Sequence, residues 1–364
     1  MLSIAGCPQP SQQASDQSFD NTQQSGDDAP SDQTAAASPT DEQPAAGSEL
    51  ITGSPTPPAG YSFTGETLIA EGTDTWQPAS KLPGLRFGHV AAVADGSLYV
   101  VAGIDGGSNN SVLRYDAAAD SWTPVAPLGD QRIDHSAAAA GGIMYVIGGT
   151  DSVGLSDAVE AYDPQTDAWS SRTATPRPRK LARAAVSGGL IYVVGGRDGS
   201  TVRPWVDVYD PVSDAWDAVP DMPVAREWHA VATVNGRVYV FGGQDAAGDP
   251  VADVHVYDPA TGTWSTVASL PNPRAELAGV AVNGRIYAIG GSETVASAYD
   301  IVEEYDPASD TWQARSSITT GRNVCRAAVL GGLIHVVGGL DAGGVADWHE
   351  VYTPPDFLYR HVKN

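Results

Sequence analysis

The sequence predicts an all-β chain. Six four-stranded blades close into a ring, a six-bladed β-propeller. The last blade is completed by an N-terminal strand, and a disordered tail precedes the ring. Three in-phase series carry this reading. Paired glycines stand at Gly148-Gly149, Gly195-Gly196, Gly242-Gly243, Gly290-Gly291 and Gly338-Gly339, with Ala102-Gly103 as a degenerate first copy. Tryptophans stand at Trp76, Trp122, Trp169, Trp216, Trp264 and Trp312, and tyrosines at Tyr115, Tyr162, Tyr209, Tyr257, Tyr305 and Tyr352. Successive glycines and tryptophans advance by 46, 47, 47, 48 and 48 residues. A fixed period of this length marks a repeat architecture. Gly 40 and Pro 26 in 364 residues suit a turn-rich chain better than a helical bundle.

Taken in order, the chain begins with a segment unlike the rest. Residues 1–60 contain no Lys or Arg, one aromatic (Phe19), six Asp and two Glu. So little apolar surface does not offset the entropy of ordering, which predicts disorder. The propeller then takes residues 61–364. It opens on a lone strand around Trp76. Blade three shows the unit that follows. Ala182–Ser187 is a run of small residues, Leu190–Gly196 an apolar run, Trp205–Asp210 an alternating stretch, and Ala215–Val219 carries the tryptophan. Gly-Gly, Asn-Gly and Asp-Pro separate these as turns. Four strands per period around a ring give one sheet per blade. The inner strand pairs begin after Arg86, Arg132, Arg179, Arg226, Arg274 and Arg322. The chain ends after a third strand, Asp347–Tyr352, so the Trp76 strand completes blade six. Hydrogen bonds across that seam then hold the ring shut; an open array would leave bare sheet edges.

Gly-Gly, then Tyr-Asp-Pro, then Trp at this period resembles the Kelch repeat, over roughly residues 62–353. The resemblance implies a Kelch-type propeller that binds through the mouth of its central channel. A second, shorter resemblance lies at the N-terminus, where Ile4-Ala5-Gly6-Cys7 is similar to the lipobox of lipoproteins. It implies lipidation of Cys7 and an extracytoplasmic, cell-surface location, with residues 8–60 as a tether of about 40 Å reach. Membrane contact is then expected only through that lipid anchor. Six residues precede Cys7, without the basic end and apolar run of a signal peptide. This reading therefore places the true start upstream; the competing reading is a chance match on a cytosolic or secreted disordered tail.

Residues present in every blade read as structure. An Arg precedes the aromatic of each second strand by thirteen residues, His335 standing in for the sixth aromatic. An acid follows each glycine pair by two: Asp105, Asp151, Asp198, Asp245, Glu293 and Asp341. Both rings are expected to bond turns and neighbouring sheets. The Trp and Tyr series are expected to pack within and between blades. His89, His135 and His229 share one repeat position, which invites a metal site; the expectation is structural histidine and no metal or cofactor. Copper radical oxidases on Kelch-type propellers need a Tyr–Cys crosslink, and the sole propeller cysteine, Cys325, stands in no matching constellation.

The residues that break the repeat are the candidate binding site. Four positions after the Arg, at the innermost strand, the series reads Val90, Ser136, Arg183, Ala230, Ala278, Arg326. Two arginines among small residues fall in blades three and six, opposite each other. Two positions after the Arg it reads Gly88, Asp134, Leu181, Trp228, Glu276, Val324, with its acids in the opposite blades two and five. Strand alternation places both positions on one strand face. A polar pocket at the channel mouth follows: Arg183 and Arg326 hold an anion, Trp228 stacks, and Asp134 and Glu276 accept hydroxyls. The alternative is a channel filled by salt bridges and water. Trp205 and Trp348, at equivalent positions in blades three and six, are either a stacking surface near that mouth or packing.

Acids outnumber bases 44 to 20, net -24, which excludes a nucleic-acid footprint. No apolar run is long enough for a membrane-spanning helix. Three lysines against 17 arginines and 33 Asp fit either a salt-adapted surface or a GC-rich genome. The function expected is a monomeric, surface-tethered binding module for a protein segment or a glycan, without catalytic residues. The alternatives are a carbohydrate-active enzyme, such as a sialic-acid-type mutarotase with Glu276 as acid/base, and a purely structural surface protein.

Overall fold

In the computed structural model, burial follows the order of strands in each repeat. The chain is described over residues 68–69, 72–104, 108–293, 297–355 and 358–359. First strands such as Val90–Ala94 and Ala278–Val282 alternate buried and half-buried small residues. Second strands such as Leu190–Val194 and Arg285–Ile289 are buried on both faces after their first residue. Fourth strands such as Thr263–Val267 are largely exposed, with the tryptophan partly covered. Small side chains crowd the axis, apolar ones fill the space between sheets, and the rim faces water.

Six antiparallel four-stranded sheets result, and the described residues include no helix. Blade 2, for example, runs from Ser136–Ala140 through Ile143–Ile147 and Val159–Asp163 to Ala168–Arg172. Each first strand packs against those of the neighbouring blades, and Arg326–Leu330 of blade 6 meets Val90–Ala94 of blade 1 to close the ring. The sixth sheet is the composite one: Arg326–Leu330, Leu333–Val337, His349–Thr353, then the N-terminal Thr75–Pro78, with Trp76 opposite Tyr352. The N-terminal strand thus completes the last blade.

The repeated residues fasten blade to blade. Each tryptophan indole donates to a carbonyl of the preceding blade: Trp122 to Ser80, Trp169 to Ala126, Trp216 to Thr173, Trp264 to Pro220, Trp312 to Ala268, and Trp76 to Ser316. Tyr162 donates to Asp167, which also accepts the Ala126 N–H from blade 1. The seam repeats this motif with Tyr352, Asp74 and the Ser316 N–H, so the two ends of the propeller are joined like any other pair of blades. At all six junctions the second glycine N–H donates to the carbonyl of the next blade's arginine, from Gly103 to Arg132 round to Gly339 to Arg86. That glycine is irreplaceable on two counts. At Gly149 the φ is 93°, and a Cβ would meet the Ile133 carbonyl at 2.6 Å.

The tail of residues 1–60 lies outside the described residues, with Cys7 in it, as does Asp105.

Candidate functional site at the channel mouth

Each inner strand is entered through the same turn. The residue two after the arginine has a left-handed backbone in every blade, with φ of 64° at Gly88, 56° at Asp134, 60° at Leu181, 55° at Trp228, 59° at Glu276 and 53° at Val324. Only the first is glycine, and a non-glycine residue there costs about 1–3 kcal/mol. Hydrogen bonds hold the strain. Asp134 N–H donates to Gly88, Leu181 to Asp134, Glu276 to Trp228 and Val324 to Glu276. The turns thereby form a backbone collar around the mouth.

This corrects one sequence expectation. The positions two and four after the arginine do not share a strand face. The first is a left-handed turn residue outside the strand, and the strand begins at the second, as in Arg183–Ser187 and Arg326–Leu330. Alternation does not apply across a left-handed residue.

The structure nonetheless gathers four of the five candidates. Arg183 and Arg326 both line a cavity of about 90 Å³ in the channel, walled otherwise by residues such as Ala184, Ala230, Leu277 and Gly279. Burial, and next the Arg326 charge, push the Arg183 pKa well below its ordinary value, with Asp134 and Glu276 opposing. Arg326 is lowered by burial too, against the same two carboxylates. Burial raises Asp134, while Arg326, Lys180 and Arg183 pull it back. Glu276 accepts the Ser292 hydroxyl at 2.7 Å. Asp134, Glu276 and the half-buried Trp228 stand on the collar and do not themselves line the cavity.

Each arginine spends one nitrogen on its own turn. Arg326 Nη1 donates to the Cys325 and Val324 carbonyls at 2.9 and 3.3 Å, and Arg183 Nη1 to the Ala182 carbonyl at 3.0 Å. Arg326 Nε and Nη2 and Arg183 Nη2 are buried without an acceptor among the described residues.

Sequence reasoning missed a second charged group at this mouth. Glu227, buried, takes Arg197 through two hydrogen bonds of 2.8 and 2.7 Å and Gln244 at 2.9 Å. Lys180, one blade earlier, bridges to Arg197 through its backbone. The position directly after the arginine held the signal: Phe87, Ile133, Lys180, Glu227, Ala275, Asn323 has its two charges in adjacent blades.

The other candidates resolve as structure. Ring arginines donate into their own blade: Arg274 to Gly290, Ala288 and Asn272 carbonyls and to Glu303, Arg179 to Gly195 and Val193 carbonyls and to Asp207. Asp151 and Asp245 cap turn N–H groups of Val153 and Ala247. His89 and His229 wedge against the first glycine of the preceding blade, where a Cβ on Gly338 or Gly195 would come within 2.6 or 2.7 Å of the imidazole Cε1. Burial keeps these rings neutral, and His135 is pushed down to about 3. Among the described residues no three His, Cys, Asp or Glu side chains converge as metal ligands. Cys325 is a buried free thiol. Trp205 is covered by Arg177 and Arg203, at 5.0 and 4.7 Å, and Trp348 by Lys81 at 3.8 Å, so both rings are packed.

Residues 61–222 and 208–353 match the family model described as the KLHDC2/KLHL20/DRC7 Kelch-repeats domain. A comparison with curated proteins finds no match. Among solved structures, the chain is similar to the structure of YjhT at a TM-score of 0.67 and 18% identity, covering 79% of this chain and 99% of that one. At that identity the likeness speaks for the fold alone.

Proposed function

The chain belongs to the Kelch-repeat domain family, and on that premise we propose that it is a binding module whose channel mouth takes the anionic group of a glycan or a protein segment. One observation carries the reading. Two arginines from opposite blades face a single cavity with donor nitrogens that find no acceptor among the described residues. Charge-assisted bonds from guanidinium to an anion are among the stronger polar contacts. Asp134 and Glu276 beside them supply acceptors for hydroxyls, and Trp228 on the collar supplies an apolar face. The module works outside the cytoplasm as a monomer, tethered through Cys7 and residues 8–60; the Ile4–Cys7 motif and the base-free segment support that placement.

A second reading, a sugar mutarotase, is favoured by Glu276. Its carboxylate lies within the field of both arginines and is steadied by Ser292. That is an arrangement for a general acid/base.

The test is a thermal-shift titration of the full chain with acidic sugars, neutral sugars and acidic peptides. The expected result is a saturable rise in Tm with an acidic member, abolished in Arg183→Ala/Arg326→Ala. Anomer exchange of the bound sugar, followed by NMR and lost in Glu276→Gln, would select the mutarotase. If no acidic member shifts Tm while the double variant stays folded, the mouth is not the binding site.

A further inference from the structure

We propose that the channel cavity holds a resident monovalent anion of halide size, seated between the guanidinium groups of Arg183 and Arg326. This goes beyond the ligand reading above, since it needs neither glycan nor peptide. Three observations carry it. First, Arg326 is only 7% exposed, yet its Nε and Nη2 have no acceptor among the described residues, nor has the buried Nη2 of Arg183. Guanidinium is a donor with no acceptor capacity. A buried charged donor left unmatched forfeits its full desolvation free energy.

Second, the wall offers little to satisfy them. Apart from Ser136 and His135, the cavity is lined by alanine, valine, leucine and glycine. His135 itself is neutral and hemmed in by burial. Third, the carboxylates set the charge of the occupant. Asp134 and Glu276 act on both arginines through space, but neither forms an ion pair with them among the described residues. Two positive and two negative groups already nearly balance at long range. A single negative charge in direct contact is therefore tolerated, and a divalent anion is not.

Size points the same way. About 90 Å³ holds several water-sized occupants, so a halide with residual water fits. The inter-arginine repulsion that lowers Arg183 would be relieved by such an ion.

The full chain is melted at constant ionic strength in sodium chloride, sodium gluconate and sodium sulfate, and chloride binding is followed by ³⁵Cl line broadening. Crystals are also grown in sodium bromide for anomalous diffraction. The expected results are a Tm that rises and saturates with chloride only, and a bromide peak between Arg183 and Arg326. Arg326→Met should bind chloride at least about tenfold more weakly, the loss of a charged hydrogen bond. The proposal is overturned by a Tm and line width indifferent to chloride, or by chloride broadening unchanged in Arg326→Met. If that variant does not fold, the bromide map of the unaltered protein decides alone: no peak at the arginine pair sinks the idea. A bromide peak with no response to any sugar or peptide leaves the halide site standing and removes the ligand reading; the reverse pattern does the opposite.

Discussion

Two sets of arginines with buried donor nitrogens divide this molecule. The ring set, Arg86, Arg132, Arg179, Arg226, Arg274 and Arg322, recurs in every blade and is spent inside it. Five of the six bond carbonyls where the second and third strands turn, and four close onto a carboxylate of the third strand: Glu160, Asp207, Glu303 and, for Arg322, Glu350. The channel pair, Arg183 and Arg326, breaks the repeat and reaches only the carbonyls of its own turn. The same functional group is a structural fastener in one place and carries unmatched buried donors in the other. What separates them is whether the fold supplies an acceptor.

The sharpest way to break this comparison is to remove one arginine from each set. Arg274→Ala strands Glu303 as an unpaired buried carboxylate and frees three carbonyls. Breaking a buried pair costs about 3–5 kcal/mol, seen as a lower midpoint in urea unfolding. Arg326→Met removes a charge with no carboxylate partner among the described residues and keeps the volume, so in halide-free buffer its unfolding free energy should stay within about 1 kcal/mol of the parent or rise. Equal losses in both variants would erase the distinction.

A pH titration separates the buried histidines from the collar carboxylate Asp134 by sign. The buried histidines of the repeat stay neutral: burial pushes His135 and His335 down to about 3 and His349 to about 4. Their unfolded value is about 6.5. Between those limits the unfolded chain binds protons that the folded chain refuses. Stability is therefore full above about pH 6.5 and falls as pH drops toward 3, by about 1.4 kcal/mol per unit for each such histidine. Asp134 runs the other way, because burial raises its carboxyl and its proton favours the folded form in acid. Urea midpoints at several pH values should fall steadily below 6.5. His135→Leu, matching Leu277 at the equivalent place in blade 5, should make that slope shallower. A flat profile would contradict the burial argument.

The repeat made the fold legible and hid part of the site. Glycine pairs and tryptophans recur at one period, so blade number, strand order and the closure through Trp76 could be read directly. Arg183 and Arg326 were visible because a large cation among alanines violates the pattern. The collar was not visible. Asp134, Trp228 and Glu276 have left-handed backbones that their residue types do not announce, since five of the six turns use residues other than glycine. Nor was the pairing of ring arginines with third-strand acids, because Arg132 and Glu160 lie 28 residues apart and meet only across a folded sheet. Local periodicity reports which face a residue occupies; it carries no record of its partner two strands away.

One ring member sharpens the contrast further. In blade 4 His255 stands where Glu160, Asp207, Glu303 and Glu350 stand elsewhere. Arg226 accordingly bonds only the Gly242 and Asp253 carbonyls, leaves Nε and Nη2 unmatched, and is pushed down to about 10, chiefly by burial. It is a ring arginine in the electrostatic condition of the channel pair, but it does not line the channel cavity. His255→Glu should restore the missing acceptor and raise the unfolding free energy by roughly 1.5–3 kcal/mol, the net worth of a hydrogen bond to a charged group. If the variant is destabilised, burying a second charge there outweighs the bond, and the carboxylates of the other blades are tolerated only because their strands were shaped around them. Either sign measures what an acceptor is worth to a buried arginine, which is the quantity that distinguishes the ring from the channel.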